Sequence, residues 1–171
     1  MANWIIDNTH SEVGFSVKHL MISTVKGNFA DYNAIITSQG DGFSNLNIQF
    51  EAAVDSINTH NEQRDGHLKS PDFFDAMNHP KITFKAEGAN AEKGKLSGIL
   101  TIRGTSRPVE FDVEFAGTAV DPYGNFKAGF TITGKINRKD FGLNWSAVTE
   151  AGGVVVSDEV KIHADVQVVR Q

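Results

Sequence analysis

The stretch Val160-Lys161-Ile162-His163-Ala164-Asp165-Val166-Gln167-Val168 decides the fold, because apolar and polar residues alternate strictly along it. Successive side chains of a β-strand point to opposite faces, so this alternation predicts a strand with one buried and one exposed face. The pattern indicates about eight half-buried antiparallel strands. Further alternating runs occur at 46–54 and 109–115, and weaker ones at 13–17, 82–86, 96–102 and 130–136, with one more strand expected over 27–37.

Turn-forming residues separate these runs. Glycine, aspartate, asparagine and proline cluster at 39–42, 92–94, 103–108 and 121–125, and such residues favour tight turns between strands. The chain has 171 residues and shows no internal repeat, low-complexity tract or linker. The sequence therefore predicts a single all-β domain over residues 1–171.

Glycines inside the strands favour a barrel over a sandwich. Five of them interrupt otherwise good strands, at positions 14, 27, 98, 129 and 134. Glycine weakens a strand unless a sharp bend or the close approach of another group requires it. The coiled strands of a barrel need bends, and a ligand-filled lumen needs close approach, so we expect an eight-stranded antiparallel β-barrel.

The segment between residues 54 and 82 departs from the strand pattern and predicts a short helical insert at about 60–78. Asn58 or Thr59 is expected to cap this helix, with Glu62 completing a capping box. Ser70 and Pro71 are expected to begin a second short helix. A single helical segment in an antiparallel barrel is best explained if it lines the mouth.

Three charged or titratable residues of this segment, His60, Arg64 and His67, have the spacing of one helical face. Arg64, Asp65 and His67 are interpreted as a polar cluster at an opening of the barrel. An alternative of equal weight is that Arg64 and Asp65 attach the helix to the barrel through ion pairs. Both interpretations stay open at the level of sequence.

Composition excludes several classes of function. The formal net charge of −5 argues against nucleic acid as a partner and against adsorption to an anionic membrane. The chain has no cysteine, so thiol catalysis and thiolate metal sites are excluded. It shows no signal peptide and no membrane-spanning run, so we expect no integral membrane protein. The expected compartment is the cytoplasm as the sequence stands, and the periplasm if a signal peptide has been removed.

Catalytic motifs are missing from the sequence. No G-x-S-x-G elbow, phosphate-binding glycine loop or zincin helix motif occurs. The six histidines leave one enzymatic alternative, a metal-dependent hydrolase in which His60, His67 and a third ligand converge. We predict no catalytic residue, no metal and no cofactor. The twelve phenylalanines predict a dry interior, which is either a filled core or a pocket for a long apolar ligand.

Motifs along nearly the whole chain, from Trp4 to about Val168, resemble the YceI-like family in order and spacing. Taken together they are specific. They are Trp4-Ile5-Ile6-Asp7, His10-Ser11-x-Val13-x-Phe15-x-Val17-Lys18-His19, Ser56-Ile57-Asn58-Thr59, Arg64-Asp65-x-His67-Leu68, Phe73-Phe74-Asp75-Ala76, Gly98-Ile99-Leu100-Thr101-Ile102-Arg103-Gly104, Gly129-Phe130 and Asn137-Arg138-Lys139-Asp140-Phe141-Gly142.

This resemblance implies an elongated, lipocalin-like barrel that holds a polyisoprenoid, such as an isoprenoid quinone or polyprenyl lipid, or another long-chain amphiphile. It also implies a non-enzymatic role in transport or storage, and a homodimer. With the inward faces of the strands, it predicts a head-group site at His19, Arg64, His67 and Arg138. The residues expected to enclose the tail are Val13, Phe15, Val17, Phe29, Phe50, Phe74, Phe84, Leu100, Phe111, Phe115, Phe130 and Phe141. A ligand-free structural or interaction barrel remains the third alternative.

Overall fold

The computed structural model describes residues 1–40, 42–146 and 155–171, which form eleven strands and one α-helix. The helix, α1, covers Glu62–Lys69. The strands are β1 (Ala2–Ile6), β2 (Glu12–His19), β3 (Ser23–Phe29), β4 (Tyr32–Ser38), β5 (Leu46–Ala53), β6 (Ile57–Asn58), β7 (Lys81–Ala89), β8 (Lys95–Ile102), β9 (Thr105–Val120), β10 (Phe126–Asn137) and β11 (Val156–Arg170).

These eleven segments build an eight-stranded antiparallel barrel, which confirms the predicted fold class. The long strand β11 pairs with β10 along one edge and with both β2 and β1 along the other. Strands β1 and β2 therefore act as one interrupted strand, as do β3 with β4 and β5 with β6. Closure places one face of the strands inside the barrel.

The interruptions account for the differences from the predicted strands. The stretch 27–37 was expected to be one strand, but β3 ends at Phe29 and β4 begins at Tyr32. A short 3₁₀ turn at Asn8–His10 separates β1 from β2, and the carboxylate of Asp7 caps it by accepting from the amide of Thr9. The predicted turn at 103–108 is shorter than expected, because β9 already begins at Thr105.

Antiparallel topology sorts the connections into two ends. The β2–β3, β6–β7, β8–β9 and β10–β11 connections lie at what we call the upper end, and the remaining hairpin connections and both termini lie at the lower end. A group of rings in tilted or edge-on contact, the lower aromatic cluster, packs at the lower end, with centroid distances of 5.1 to 5.8 Å. Its members are Trp4, Phe43, Phe115, Phe126 and Phe130.

Helix α1 is shorter than predicted and has a different cap. The side chain of Asn61 caps it by accepting from the amide of Arg64, so the predicted cap at Asn58 or Thr59 is wrong. His60 has a φ of +61° and precedes the helix, so it does not share a helical face with Arg64 and His67. Ser70 ends α1, and the following residues form turns rather than a second helix. No helix in the described ranges has the length and apolar character to cross a membrane.

Candidate functional site

The barrel interior contains two apolar cavities arranged along its axis. The upper cavity has a volume of about 150 Å³ and the lower one about 140 Å³. Val13 and Ile162 belong to the walls of both, so the two cavities meet at their level. Apolar cavities of this size stay dry and accept apolar molecules, because water finds no hydrogen-bond partner in them.

Strand alternation places most of the predicted tail-binding residues on these walls. The upper cavity contacts Val13, Phe15, Val17, Phe29, Phe74 and Leu100, and the lower cavity contacts Val13, Phe50, Phe84, Phe111 and Phe130. Two predicted residues line neither cavity. Phe115 lies in the lower aromatic cluster and is 47% exposed, while Phe141 is buried beside the lumen in the 3₁₀ turn Arg138–Phe141. Whether any of these residues binds a ligand stays a prediction.

Three strand glycines allow phenylalanine rings to lie flat against the barrel wall. The ring of Phe15 lies over Gly27, that of Phe84 over Gly98 and that of Phe111 over Gly134. A β-carbon at Gly27 would lie 2.5 Å from the ring of Phe15, and one at Gly98 would lie 2.6 Å from that of Phe84. No real β-carbon tolerates such distances, so close approach is the physical reason for these glycines.

The upper cavity is covered by α1 and the turns that follow it. Leu68, Phe73 and Phe74 from this segment pack against the cavity together with Leu143. The guanidinium of Arg103 donates to the carbonyls of Phe73 and Gly142 at 3.1 and 3.3 Å, which joins the segment to the β10–β11 connection. We call residues 59–79 the upper cover.

Thr59 anchors the upper cover through a group of polar contacts that we call the Thr59 latch. Its hydroxyl donates to the carboxylate of Asp65 at 2.5 Å and accepts from Nε of Arg64 at 2.8 Å. Its backbone amide donates to the same carboxylate, and its carbonyl accepts from Nη2 of Arg64 at 2.6 Å. Arg64 and Asp65 therefore attach the helix to the barrel, as one alternative predicted, but through Thr59 rather than through ion pairs.

His67 lies at the outer side of the upper cover. Its Nε2 lies 2.9 Å from the carboxylate of Asp72, and its ring packs edge-on against Phe73 and Trp145. The side chain is 40% exposed, so it borders the surface rather than the lumen.

Arg138 is a buried cation on the wall of the upper cavity, with only 3% of its surface exposed. Its guanidinium donates to the carbonyls of Leu143 and Trp145 at 2.6 Å and of Ser157 at 3.0 Å. Burial lowers the pKa of this guanidinium from its usual value, although an arginine keeps its charge in proteins. The contacts fix both flanks of the β10–β11 connection.

The four predicted head-group residues all lie at the upper end, but their side chains have different partners. His19 ends β2 and pairs with Val156, whose carbonyl accepts from Arg138 at 3.4 Å. Arg64 bonds to Thr59, and His67 to Asp72. Arg138 lines the upper cavity, while Arg64 and His67 belong to its cover. Their contact with a ligand head group stays a prediction.

The arrangement of histidines does not favour the metal-dependent hydrolase. His60 is exposed, and its amide donates to the side chain of Asn58, while His67 contacts Asp72. Within residues 1–40, 42–146 and 155–171, no three His, Asp or Glu side chains come close enough together to hold a metal ion.

Two groups of lumen residues were missed from the sequence. Alternation contained the signal for the first group, which comprises Ile36, Leu46, Ile48, Leu96, Val113, Ile132, Ala164, Val166 and Val168. Ala91 and Leu143 lie in connections, where no periodicity marks a buried face. Phe43 also lies in a connection; its amide donates to the carboxylate of Glu92, which holds the ring beneath the barrel.

Comparison with known proteins agrees with this geometry. Residues 4–168 match the sequence profile of the YceI-like domain. The chain belongs to the YceI-like family. A UPF0312 protein of Staphylococcus aureus strain N315 is 39% identical to this YceI-like chain over 168 residues, covering 98% of this chain and 97% of the relative.

Solved structures share the barrel. The YCEI protein of Campylobacter jejuni has 34% sequence identity and a TM-score of 0.74, covering 90% of each chain. BcnA of Burkholderia cenocepacia has 23% identity and a TM-score of 0.78, covering 95% of this YceI-like chain and 98% of BcnA. A polyisoprenoid binding domain of Saccharophagus degradans has 15% identity and a TM-score of 0.75, covering 98% of each chain. The last two likenesses show the fold alone.

Proposed function

We propose that this YceI-like barrel binds the apolar tail of a polyisoprenoid or another long-chain amphiphile in its lumen, as a carrier or store rather than as an enzyme. The observation that carries the proposal is the pair of apolar cavities that meet at Val13 and Ile162. The lower cavity exposes only apolar atoms, and the upper one is nearly as apolar. The structural likeness to a polyisoprenoid binding domain supports the same ligand class.

The energetics of such a lumen favour chains over small polar ligands. Each CH₂ group buried away from water contributes about 0.8 kcal/mol. Ten such groups contribute about 8 kcal/mol, which is comparable with the cost of about 4 to 15 kcal/mol for association. A long apolar chain therefore supplies the required free energy without specific polar contacts.

The head group is expected at the upper end, because the upper cavity borders the one cation on the lumen wall among the described residues. Arg138 contributes that charge, and His19 and His67 lie at the same end. The lower end offers the closely packed rings of Trp4 and Phe43 instead. An amphiphile would thus lie tail down, with its polar end beneath the upper cover.

Mass spectrometry of the purified protein tests the proposal. Native spectra should show a stoichiometric adduct that disappears on denaturation, and organic extracts should contain the corresponding long-chain species. A matched sample of Phe50→Glu should lack the adduct, because its carboxylate would lie in the lower cavity. If the wild-type protein shows no adduct and takes up no added isoprenoid quinone or polyprenol, lipid binding is refuted. That result would favour a structural or interaction barrel without a ligand.

A further inference from the structure

Two phenylalanine–glycine pairs lie on four neighbouring strands, β7 to β10, near the level where the two cavities meet. Phe84 of β7 lies over Gly98 of β8, and Phe111 of β9 lies over Gly134 of β10. The two rings contact each other, with centroids 5.5 Å apart. Gly134 pairs with Ile162 of β11, which lies on the wall of both cavities. A chain that extends from the upper into the lower cavity must therefore pass these rings.

We propose that Gly134, by allowing the ring of Phe111 to lie flat on the wall, sets the length of chain that the lumen accepts. The inference rests on the proposed function and identifies a residue that determines its specificity. Gly98 plays the same part for the ring of Phe84. Neither glycine lines either of the two lumen cavities, so both act through the position of the neighbouring ring.

The geometry gives a displaced ring one direction in which to move. A β-carbon at Gly134 would lie 2.4 Å from Cδ1 of Phe111, which is an overlap, and its three nearest atoms all belong to that ring. The backbone behind the ring is held in the sheet, because Gly134 pairs with Ile162 of β11 and Phe111 pairs with Leu96 of β8. The ring must therefore turn towards the lumen, where it would occupy space in the lower cavity that it now borders.

Gly134 gives the cleaner test of the two glycines. A β-carbon at Gly98 would also lie 2.5 Å from the carbonyl oxygen of Lys85, so an alanine there would strain the backbone as well. Gly129 supplies a matched control in the same strand as Gly134. A β-carbon there would lie 3.5 Å from that of Ala116, an ordinary van der Waals contact, and Gly129 lines neither cavity.

The experiment compares the affinities of Gly134→Ala, Gly129→Ala and the wild-type protein for geraniol, farnesol, geranylgeraniol and a long polyprenol. Gly134→Ala should bind geraniol as the wild type does but lose more than about tenfold for the polyprenol, because each excluded CH₂ weakens binding about fourfold. Gly129→Ala should keep the wild-type profile. Gly134→Ala combined with Phe111→Leu should recover the binding of long chains, since leucine has no ring to displace.

The outcomes separate this inference from the proposed function. If the wild type binds no member of the series, the proposed function fails. If the wild type binds the series and Gly134→Ala keeps the same dependence on chain length, the specificity role of Gly134 is wrong. Should Gly134→Ala not fold, Phe111→Leu alone decides: it should strengthen binding of the polyprenol relative to geraniol, and an unchanged ratio would overturn the inference.

Discussion

Replacing Thr59 by valine removes the hydroxyl of the Thr59 latch and keeps the shape of the side chain. Thr59 is 3% exposed, and its hydroxyl bonds to two groups that are charged at neutral pH, the carboxylate of Asp65 and the guanidinium of Arg64. The γ-methyl group packs over Gly27, and valine retains that contact. The substitution thus isolates the two hydroxyl bonds from the packing of the residue.

The magnitude follows from the kind of bond that is lost. A hydrogen bond to a charged group contributes about 1.5 to 3 kcal/mol. The amide and the carbonyl of Thr59 keep their bonds to Asp65 and Arg64, so part of the latch survives. We expect Thr59→Val to lower the free energy of unfolding of the upper cover by about 2 to 4 kcal/mol.

Helix α1 depends on this latch, because the helix is short and only partly buried. None of its eight residues is fully buried, and Gly66 lies in its interior. A glycine there costs about 1 kcal/mol relative to alanine, and isolated helices shorter than about 12 residues are marginal in water. Loss of the hydroxyl should therefore loosen the upper cover before it unfolds the barrel.

Hydrogen–deuterium exchange measured by mass spectrometry tests this reasoning. In Thr59→Val, amides of α1 should exchange at least about tenfold faster, since about 1.4 kcal/mol corresponds to a tenfold change. Amides of β9 and β10 should exchange as in the wild type. Thr59→Ser keeps the hydroxyl and loses only the methyl group, so it should protect α1 better than valine does. Equal protection of α1 in the wild type and Thr59→Val would refute a stabilising role of the latch.

Three further predictions concern charge in and around the barrel. The hydrogen bond from Lys127 is the main cause that lowers the pKa of Asp7 to about 2 from 3.8. Because the pKa is lower in the folded than in the unfolded state, the ionised carboxylate stabilises the fold. This stabilisation, about 1 to 2 kcal/mol, should be present above pH 4 and be lost as the pH falls from about 4 to about 2. Urea unfolding at several pH values should show this loss in the wild type and a smaller one in Asp7→Asn. Arg138→Met leaves four carbonyls at the β10–β11 connection without their donor and should lower the free energy of unfolding by about 3 to 5 kcal/mol. A thermal midpoint equal to that of the wild type would show that the cation is dispensable. Phe50→Leu should retain an added polyprenol, while Phe50→Glu should release it because its carboxylate would lie in the lower cavity. Fluorescence titrations of the two folded variants measure this retention. Equal retention would place the tail outside the lower cavity.

The sequence could predict the barrel because alternation is a local property of each strand. Phe50, Phe84 and Phe111 were placed on the lumen wall by their position within runs of period two, and the closed sheet keeps that period. The strand glycines gave a second signal, since close approach was expected and Gly27, Gly98 and Gly134 show it.

Features that depend on contacts between distant segments could not be predicted in the same way. Thr59 looked like a helix cap, but its hydroxyl bonds to Asp65, so Asn61 caps the helix instead. Phe115 continued the inward alternation of β9 and pairs with the lumen residue Phe130, yet its ring packs in the lower aromatic cluster, is 47% exposed and lines neither cavity. Arg138 was expected to bind a ligand head group, and only the folded β10–β11 connection supplies the carbonyls that accept from its guanidinium.

The lower aromatic cluster has a consequence for the kinetics of exchange. Trp4 of β1 and Phe130 of β10 both pack against Phe43 at the lower end, and all three side chains are buried. A barrel whose lower end is filled by packed rings has one opening, so a bound chain leaves through the end by which it entered. A competing ligand cannot enter at the other end and displace it. The rate at which a bound chain is replaced should therefore be independent of the concentration of the competing ligand. Dissociation of the bound chain should limit the rate of transfer between donor and acceptor.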